Sequence, residues 1–116
     1  MHELGIAQRI VEVMTEMVTR HGATRCLAAR LLVGELTAVE PETLKFAFEV
    51  VSRETSAAGC LLEIVPVPLR LRCKQCSAET GGPLFEPCAA CGTLGFEVLE
   101  GRELRLDTVD VDAPEG

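Results

Sequence analysis

The chain has 116 residues, of which 47% are hydrophobic and 25% are charged, and it carries a formal net charge of −7. This length supports one modest hydrophobic core plus a small metal-stabilised module. The acidic excess opposes binding to nucleic acid, and no apolar run approaches the roughly 18 residues that a membrane-spanning helix needs. We therefore expect neither a membrane nor a nucleic acid as a partner.

The first predicted element is an amphipathic helix over about residues 4–21. Its apolar side chains recur at steps of three and four residues, as Leu4, Ala7, Ile10, Val11, Met14, Met17 and Val18. Gly22 is a suitable residue to end the helix. Met14 and Met17 lie on the apolar face, so we interpret them as core residues rather than as ligands of a soft metal.

A β-strand is predicted over residues 25–36, where apolar side chains alternate and Gly34 marks a bulge or the end of the strand. A second helix is predicted over about residues 41–53. Proline suits the first helical position, which Pro41 would occupy, and acidic residues flank it.

Residues 61–72 are predicted to form a fourth element, a β-strand interrupted by Pro66 and Pro68. Proline cannot donate to a ladder of hydrogen bonds, so part of this segment must lie on a sheet edge or act as a rigid connector to the next module. A final strand over residues 103–112 is expected to return to the first sheet.

Four of the six cysteines form two Cys-x-x-Cys pairs, Cys73 with Cys76 and Cys88 with Cys91, separated by eleven residues. This duplicated spacing is typical of a zinc ribbon, in which four thiolates surround one tetrahedral ion. Gly92 follows the last cysteine and can take the positive φ that such a turn requires. Four sulfurs leave no open coordination position, so the predicted zinc is structural.

Disulfide bonding and thiol redox chemistry are the alternatives for these cysteines. The chain opens without the charged and apolar pattern of a signal peptide, which disfavours a secreted disulfide scaffold and predicts a cytoplasmic location. A thioredoxin-like motif would need a helix after Cys76, but Gly81, Gly82 and Pro83 follow instead. Cys26 and Cys60 lie outside the pairs in apolar runs, and we predict buried small hydrophobic residues there, with a second ligand role as the alternative.

These elements predict an α+β fold, with a small mixed β-sheet packed by two helices and an inserted zinc-ribbon module. The predicted domains are residues 69–101 for the ribbon and residues 1–68 with 102–116 for the α+β domain. The sequence shows no Ser-His-Asp arrangement, glycine-rich phosphate loop or assured carboxylate pair, so we do not expect an enzyme.

The first residues offer a chelator of a different kind. The Met1 amine, the deprotonated amide nitrogen of His2 and the His2 imidazole can close adjacent rings around one ion, and such a planar nitrogen set suits Ni(II) or Cu(II). A fourth position is left for Glu3, for another carboxylate or for a partner. A histidine at position 2 of an arbitrary protein is more often a mobile terminal residue, so the motif alone does not establish a metal site.

Three features occur in order along the chain: MHELGIA at residues 1–7, EPETLKFAF at residues 40–48, and the paired Cys-x-x-Cys ribbon. In this combination the chain resembles the HypA/HybF family of hydrogenase and urease nickel-incorporation proteins over essentially its whole length. The resemblance implies a metallochaperone that binds nickel weakly at its amino terminus and holds zinc in the ribbon. It also implies a nickel-handling GTPase as a partner and the large subunit of a NiFe hydrogenase as the recipient.

The resemblance implies His2 as the nickel residue, with Glu3 and the Met1 amine as further donors. It implies that zinc is bound by Cys73, Cys76, Cys88 and Cys91. Some family members place a side chain near the position of Glu40 against the nickel, but helix capping explains this residue without a metal. The alternative function is a zinc-ribbon adaptor that binds a protein partner without delivering nickel, and nucleic-acid binding rests only on analogy with other ribbons.

Overall fold

The computed structural model describes residues 2–112, so Met1 and residues 113–116 lie outside the described part of the chain. The elements are, in order, α1 (Glu3–Arg20), β1 (Cys26–Gly34), a 3₁₀ turn (Glu35–Thr37), α2 (Pro41–Ser52), β2 (Leu61–Val67), β3 (Arg70–Cys73), β4 (Glu79–Thr80), β5 (Phe96–Glu100) and β6 (Leu104–Val111). Two helices with two small sheets confirm the predicted α+β class. Neither α1 nor α2 is long and apolar enough to cross a membrane.

The first sheet has the strand order β2-β1-β6. Strand β1 pairs with β2 in parallel and with β6 in antiparallel orientation, so the sheet is mixed, as predicted. Parallel neighbours need a crossover connection, and α2 lies in the segment that joins β1 to β2. The return of the last strand to this sheet after the cysteine-rich segment is also confirmed.

Both helices pack their apolar faces into one core with this sheet. The buried apolar residues of the helices are Ala7, Ile10, Val11, Met14, Val18, Leu44, Ala47 and Phe48. Met14 is fully buried, which confirms its core role, whereas Met17 is only half-buried. Leu4, which the periodicity assigned to the apolar face, is instead 56% exposed.

The prediction of a single strand over residues 61–72 is wrong. The chain forms β2 and β3 there, and the two strands belong to different sheets. Pro66 lies on β2, an edge strand that tolerates a missing donor, and is in register with Val33 of β1. Pro68 lies in the break between β2 and β3. The expectation of an edge position and a connector at the prolines is therefore confirmed.

The second sheet has the order β4-β3-β5 and is antiparallel throughout. Close to the junction of the two sheets, the end of β1 and the backbone that follows it lie against the backbone between β5 and β6. The Gly34 N–H donates to the Glu103 carbonyl at 2.6 Å, and the Leu36 N–H donates to the Gly101 carbonyl at 2.8 Å. The Leu69 N–H donates to a carboxylate oxygen of Glu35 at 3.0 Å. These bonds fix the path of the chain between the two sheets.

We expect Gly34→Ala to destabilise the protein, because the added methyl group would overlap the backbone of Gly101 and Glu103, which cannot move aside as a flexible side chain can. The expected loss in free energy of unfolding is about 1–3 kcal/mol, measured by urea denaturation. Gly5→Ala is the matched control, since nothing lies near its added methyl group and alanine favours a helix. Equal midpoints for Gly34→Ala and the wild type would contradict the close approach.

The start of β1 is tied to the end of β6 by Asp112. Its carboxylate accepts hydrogen bonds from the Thr24 hydroxyl, from the Thr24 N–H at 2.8 Å and from the Arg25 N–H at 3.0 Å. These donors, led by the Thr24 hydroxyl, lower the pKa of Asp112 to about 2. The carboxylate is therefore more acidic in the folded chain than in the unfolded one, where its pKa is about 3.9.

This lowered pKa predicts a pH dependence for Asp112→Ala. The stabilisation from Asp112 is present above the unfolded pKa and is lost as the pH falls through the folded pKa. The wild type should therefore be more stable than Asp112→Ala at neutral pH, and the difference should shrink between about pH 4 and pH 2. Denaturant unfolding of both proteins at a series of pH values measures this difference in stability. A difference that stays constant over that range would contradict the lowered pKa of Asp112.

Candidate metal centres

The first Cys-x-x-Cys turn closes on itself through two backbone hydrogen bonds. The Cys73 N–H donates to the Ala78 carbonyl at 2.8 Å, and the Ser77 N–H donates to the Cys73 carbonyl at 3.0 Å. Ser77 has a φ of 65°, in the left-handed region that non-glycine residues seldom adopt. The turn thus folds back within six residues and directs both of its sulfurs to the same side.

The second turn repeats this geometry at the other pair. The Cys88 N–H donates to the Thr93 carbonyl at 3.0 Å, and the Gly92 N–H donates to the Cys88 carbonyl at 2.7 Å. Gly92 has a φ of 75°, which confirms the conformation predicted for it. Serine, unlike glycine, does not favour a positive φ. The sequence therefore does not predict that Ser77 takes in the first turn the conformation that Gly92 takes in the second.

The two turns bring all four sulfurs together. The Sγ atoms of Cys73 and Cys91 are 3.7 Å apart, those of Cys76 and Cys88 are 3.6 Å apart, and all four lie within 4.8 Å of one another. Zinc–sulfur bonds of about 2.3 Å in a tetrahedron place the sulfurs about 3.8 Å apart. The cluster therefore fits the zinc ion predicted from its spacing, and with four sulfur ligands the ion would have no open position for chemistry.

The electrostatics of the cluster also favour a cation. Hydrogen bonds from the Thr93 hydroxyl and N–H lower the pKa of Cys91 to about 6. The N–H groups of Cys76 and Gln75 likewise lower the pKa of Cys73. The Ala78 N–H favours the Cys76 thiolate too, but desolvation and the three neighbouring sulfurs raise the pKa of Cys76 to about 12. Four thiolates at this separation need a positive ion between them.

The strands beside the cluster present charges of both signs. Arg70 of β3 forms ion pairs with Glu79 at 3.2 Å and with Glu100 at 3.9 Å, and Arg72 pairs with Glu97 at 3.8 Å. These pairs are largely exposed and contribute little stability, but they neutralise the basic side chains of β3. A phosphate backbone requires clustered unpaired cations, so this surface does not favour nucleic acid.

His2 is exposed and immediately precedes α1, and its carbonyl accepts the Ile6 N–H at 3.1 Å. A carboxylate oxygen of Glu3 accepts the Glu40 N–H at 3.1 Å, which joins the start of α1 to the start of α2. That N–H is the main cause of the lowered pKa of Glu3. Glu40 itself caps α2, since its carboxylate accepts the Glu42 N–H at 2.9 Å.

Within residues 2–112, the four ribbon cysteines are the one group in which three or more histidine, cysteine or acidic donors converge on a common point. His2, Glu3 and Glu40 form no such group, and Met1 lies outside the described residues. The nickel ligands therefore remain predictions. The Glu3–Glu40 contact was not predicted, because nothing in the sequence signals a hydrogen bond between residues 37 positions apart.

Cys26 and Cys60 are both buried, which confirms that prediction. Sequence reasoning missed that their sulfurs lie 2.9 Å apart. The parallel pairing of β1 with β2 brings these residues together, and the sequence shows the two apolar runs but not which strands pair. Neither cysteine joins the ribbon cluster.

Two solved structures share this fold along nearly the whole chain. The solution structure of the Ni metallochaperone HypA from Helicobacter pylori superposes with a TM-score of 0.71 at 23% identity, covering 97% of this chain and 99% of that one. A second solution structure, of HypA protein, has a TM-score of 0.75 at 23% identity, covering 97% of this chain and 98% of that one. At this identity the two structures establish the fold alone.

Sequence comparisons establish the family. A protein described as hydrogenase maturation factor HypA from Solidesulfovibrio magneticus is 37% identical over 117 residues, covering 97% of this chain and all of the relative. Another of that description, from Geotalea uraniireducens, is 38% identical over 113 residues with the same coverage. The family model for hydrogenase/urease nickel incorporation, metallochaperone, hypA, matches residues 1–111. The chain therefore belongs to the HypA family of nickel-incorporation metallochaperones.

Proposed function

We propose that the protein binds Ni(II) at its amino terminus and delivers it during the maturation of a NiFe hydrogenase, while zinc in the four-cysteine site holds the ribbon. The observation that carries this proposal is the family match over residues 1–111, which includes both the amino-terminal motif and the four converging cysteines. We propose urease as the alternative recipient, since the family description names both enzymes.

The proposed nickel donors are the Met1 amine, the amide nitrogen and imidazole of His2, and a carboxylate oxygen of Glu3. The first N–H groups of an α-helix have no acceptor within the helix, so a residue that precedes the first turn has an amide nitrogen available to a metal. His2 occupies that position before α1 and is exposed. The hydrogen bond between Glu3 and the Glu40 N–H restrains the Glu3 carboxylate beside the same helix end.

The contrast between the two proposed sites explains why one metal would be delivered and the other kept. The ribbon supplies four sulfurs from two closed turns, which saturates a tetrahedral ion. The amino terminus supplies few ligands on an exposed segment, so an incoming ligand from a partner can replace them one at a time. Nickel binding of this kind also requires the nitrogen donors to be deprotonated, so it is weakened in acid.

The partners that we propose are a nickel-handling maturation GTPase and the large subunit of the hydrogenase. We propose two functional units, residues 1–68 with 102–116 for nickel and residues 69–101 for zinc. The work would take place in the cytoplasm, where thiols stay reduced and available to metals. Delivery by ligand exchange requires no catalysed bond cleavage, so we assign no enzymatic activity.

A zinc-ribbon adaptor that binds a protein partner without delivering nickel is the alternative. The exposure of two large apolar side chains in the ribbon segment favours partner binding, since Phe85 is 89% exposed and Leu94 is 68% exposed. Delivery also needs a partner, so this observation fits both functions. Nickel binding that depends on the amino terminus distinguishes them, because an adaptor has no need of it.

We expect that a Gly-Ser extension placed before Met1 weakens nickel binding by about tenfold or more, equivalent to about 1.4 kcal/mol. The extension converts the Met1 amine into an amide and removes the first chelate ring while every side chain is retained. His2→Ala should have a similar effect through loss of the imidazole. Calorimetric titration of nickel into the zinc-loaded protein measures both changes.

His21→Ala is the matched control for His2→Ala, because His21 is the other histidine of the chain and is also exposed, at the far end of α1. This variant should bind nickel as the wild type does. Zinc content, helix content and thermal unfolding should stay nearly unchanged in all three altered proteins. Wild-type nickel affinity in the extended protein would place the nickel elsewhere and refute the proposed donor set.

For the zinc site we compare Cys76→Ala with Cys60→Ala, the same substitution inside and outside the cluster. Cys76→Ala should lose most of its zinc and the ordered ribbon, because three sulfurs no longer complete the tetrahedron and few apolar residues of the ribbon are buried. Cys60→Ala should retain one zinc per chain. Native mass spectrometry measures the metal content, and a zinc-free wild-type ribbon that stays folded would contradict the structural role.

A further inference from the structure

Cys26 and Cys60 form a second sulfur pair, separate from the ribbon. Their Sγ atoms lie 2.9 Å apart, closer than the 3.6 Å between Cys76 and Cys88. A tetrahedral zinc ion would hold two sulfurs about 3.8 Å apart. Within residues 2–112, no further histidine, cysteine or acidic side chain converges on the pair. The geometry is therefore not that of a second metal site.

The pairing of β1 with β2 brings the two cysteines together. In this parallel pair Ala28 lies beside Leu61. Cys60 immediately precedes β2, and Cys26 is the first residue of β1, two residues before Ala28. The two cysteines therefore occupy nearly adjacent positions at the start of this strand pair. Neighbouring strands are about 4.8 Å apart, within the Cα separation of about 4.4–6.8 Å that a disulfide spans.

The pair is enclosed by the core but lies near one surface turn. Cys26 is 1% exposed and Cys60 is 8% exposed. The Cys60 N–H donates to the Ala57 carbonyl at 3.1 Å, in the turn that leads from α2 into β2. Burial and the neighbouring Cys26 sulfur raise the pKa of Cys60 to about 12. Thiol exchange at this pair is therefore slow and proceeds when the turn opens locally.

We propose that Cys26 and Cys60 are a disulfide-forming pair that a low-molecular-weight disulfide, such as oxidised glutathione, converts into an intramolecular cystine while the four ribbon cysteines stay on their metal. Cys60 is the first to react, because it is the more exposed of the two and adjoins the turn. This assignment does not depend on nickel binding.

The chemistry balances as two thiol–disulfide exchanges. The Cys60 thiolate attacks one sulfur of oxidised glutathione, whose S–S bond breaks, and one glutathione leaves and takes up a proton. The Cys26 thiolate then attacks the Cys60 sulfur of the mixed disulfide, and the second glutathione leaves as a thiol. Two cysteine thiols are oxidised, and one glutathione disulfide is reduced to two thiols.

The resulting cross-link would close a loop between residues 34 positions apart, a loop that contains all of α2. Such a loop restricts the unfolded chain, so the oxidised protein is expected to unfold at a higher temperature than the reduced one. Because both sulfurs already lie in contact, the folded chain needs little rearrangement to form the bond.

The test uses the full zinc-loaded chain without nickel, equilibrated in glutathione buffers of increasing oxidised fraction. Metal content is measured first, and cysteines are then alkylated under denaturing, chelating conditions and mapped by peptide mass spectrometry. We expect one retained zinc, alkylation of the four ribbon cysteines, a Cys26–Cys60 linked peptide, and an unfolding temperature raised by about 5 °C or more. Alkylation of all six cysteines, or a linked peptide that contains a ribbon cysteine, would overturn the proposal.

Cys26→Ala and Cys60→Ala are the controls. In Cys26→Ala the same treatment should leave one glutathione on Cys60 and give no rise in unfolding temperature, because the resolving thiol is absent. A rise in that variant would show that the cross-link is not the cause, and would also overturn the proposal. If either variant fails to fold, the peptide map of the wild type alone shows whether Cys26 and Cys60 are linked. Because the test uses no nickel, its result stands whether or not the protein binds nickel at its amino terminus.

Discussion

The central position of β1 is the constraint on which the rest of the structure depends. Its parallel pairing with β2 ends at Gly34 beside Val67, and its antiparallel pairing with β6 has Val33 beside Leu104. The strand that leads into the ribbon and the strand that leaves it therefore meet at the same end of β1. An inserted module needs its two ends close together, and this pairing supplies them without disturbing the core.

The inserted module buries fewer apolar side chains than the rest of the chain. Its buried apolar side chains are few, chiefly Leu69 and Leu71, beside the buried cysteines Cys73 and Cys88. The zinc that we propose there would add metal–sulfur bonds to this small core. The α+β part instead buries two helices on a sheet. Loss of the metal would therefore affect the ribbon more than the core.

Much of this architecture could be predicted from local patterns. The helical periodicity predicts α1, Pro41 marks the first residue of α2, and the duplicated cysteine spacing predicts the cluster. What could not be predicted were contacts set by long-range pairing. The division of residues 61–72 between two sheets depends on where β1 ends, and the hydrogen bond from the Glu40 N–H to Glu3 depends on how α1 packs on α2.

The environment of each cysteine determines its chemistry. Backbone and hydroxyl donors reach the sulfurs of Cys73 and Cys91 and lower their pKa, which prepares them as thiolates for a metal. Desolvation does the reverse at Cys60, where together with the neighbouring Cys26 sulfur it raises the pKa and favours the neutral thiol. Cys76 belongs to the metal cluster although its pKa is also raised to about 12, because the two turns place its sulfur 3.6 Å from that of Cys88. Hydrogen bonding and burial therefore act together with the convergence of the four sulfurs.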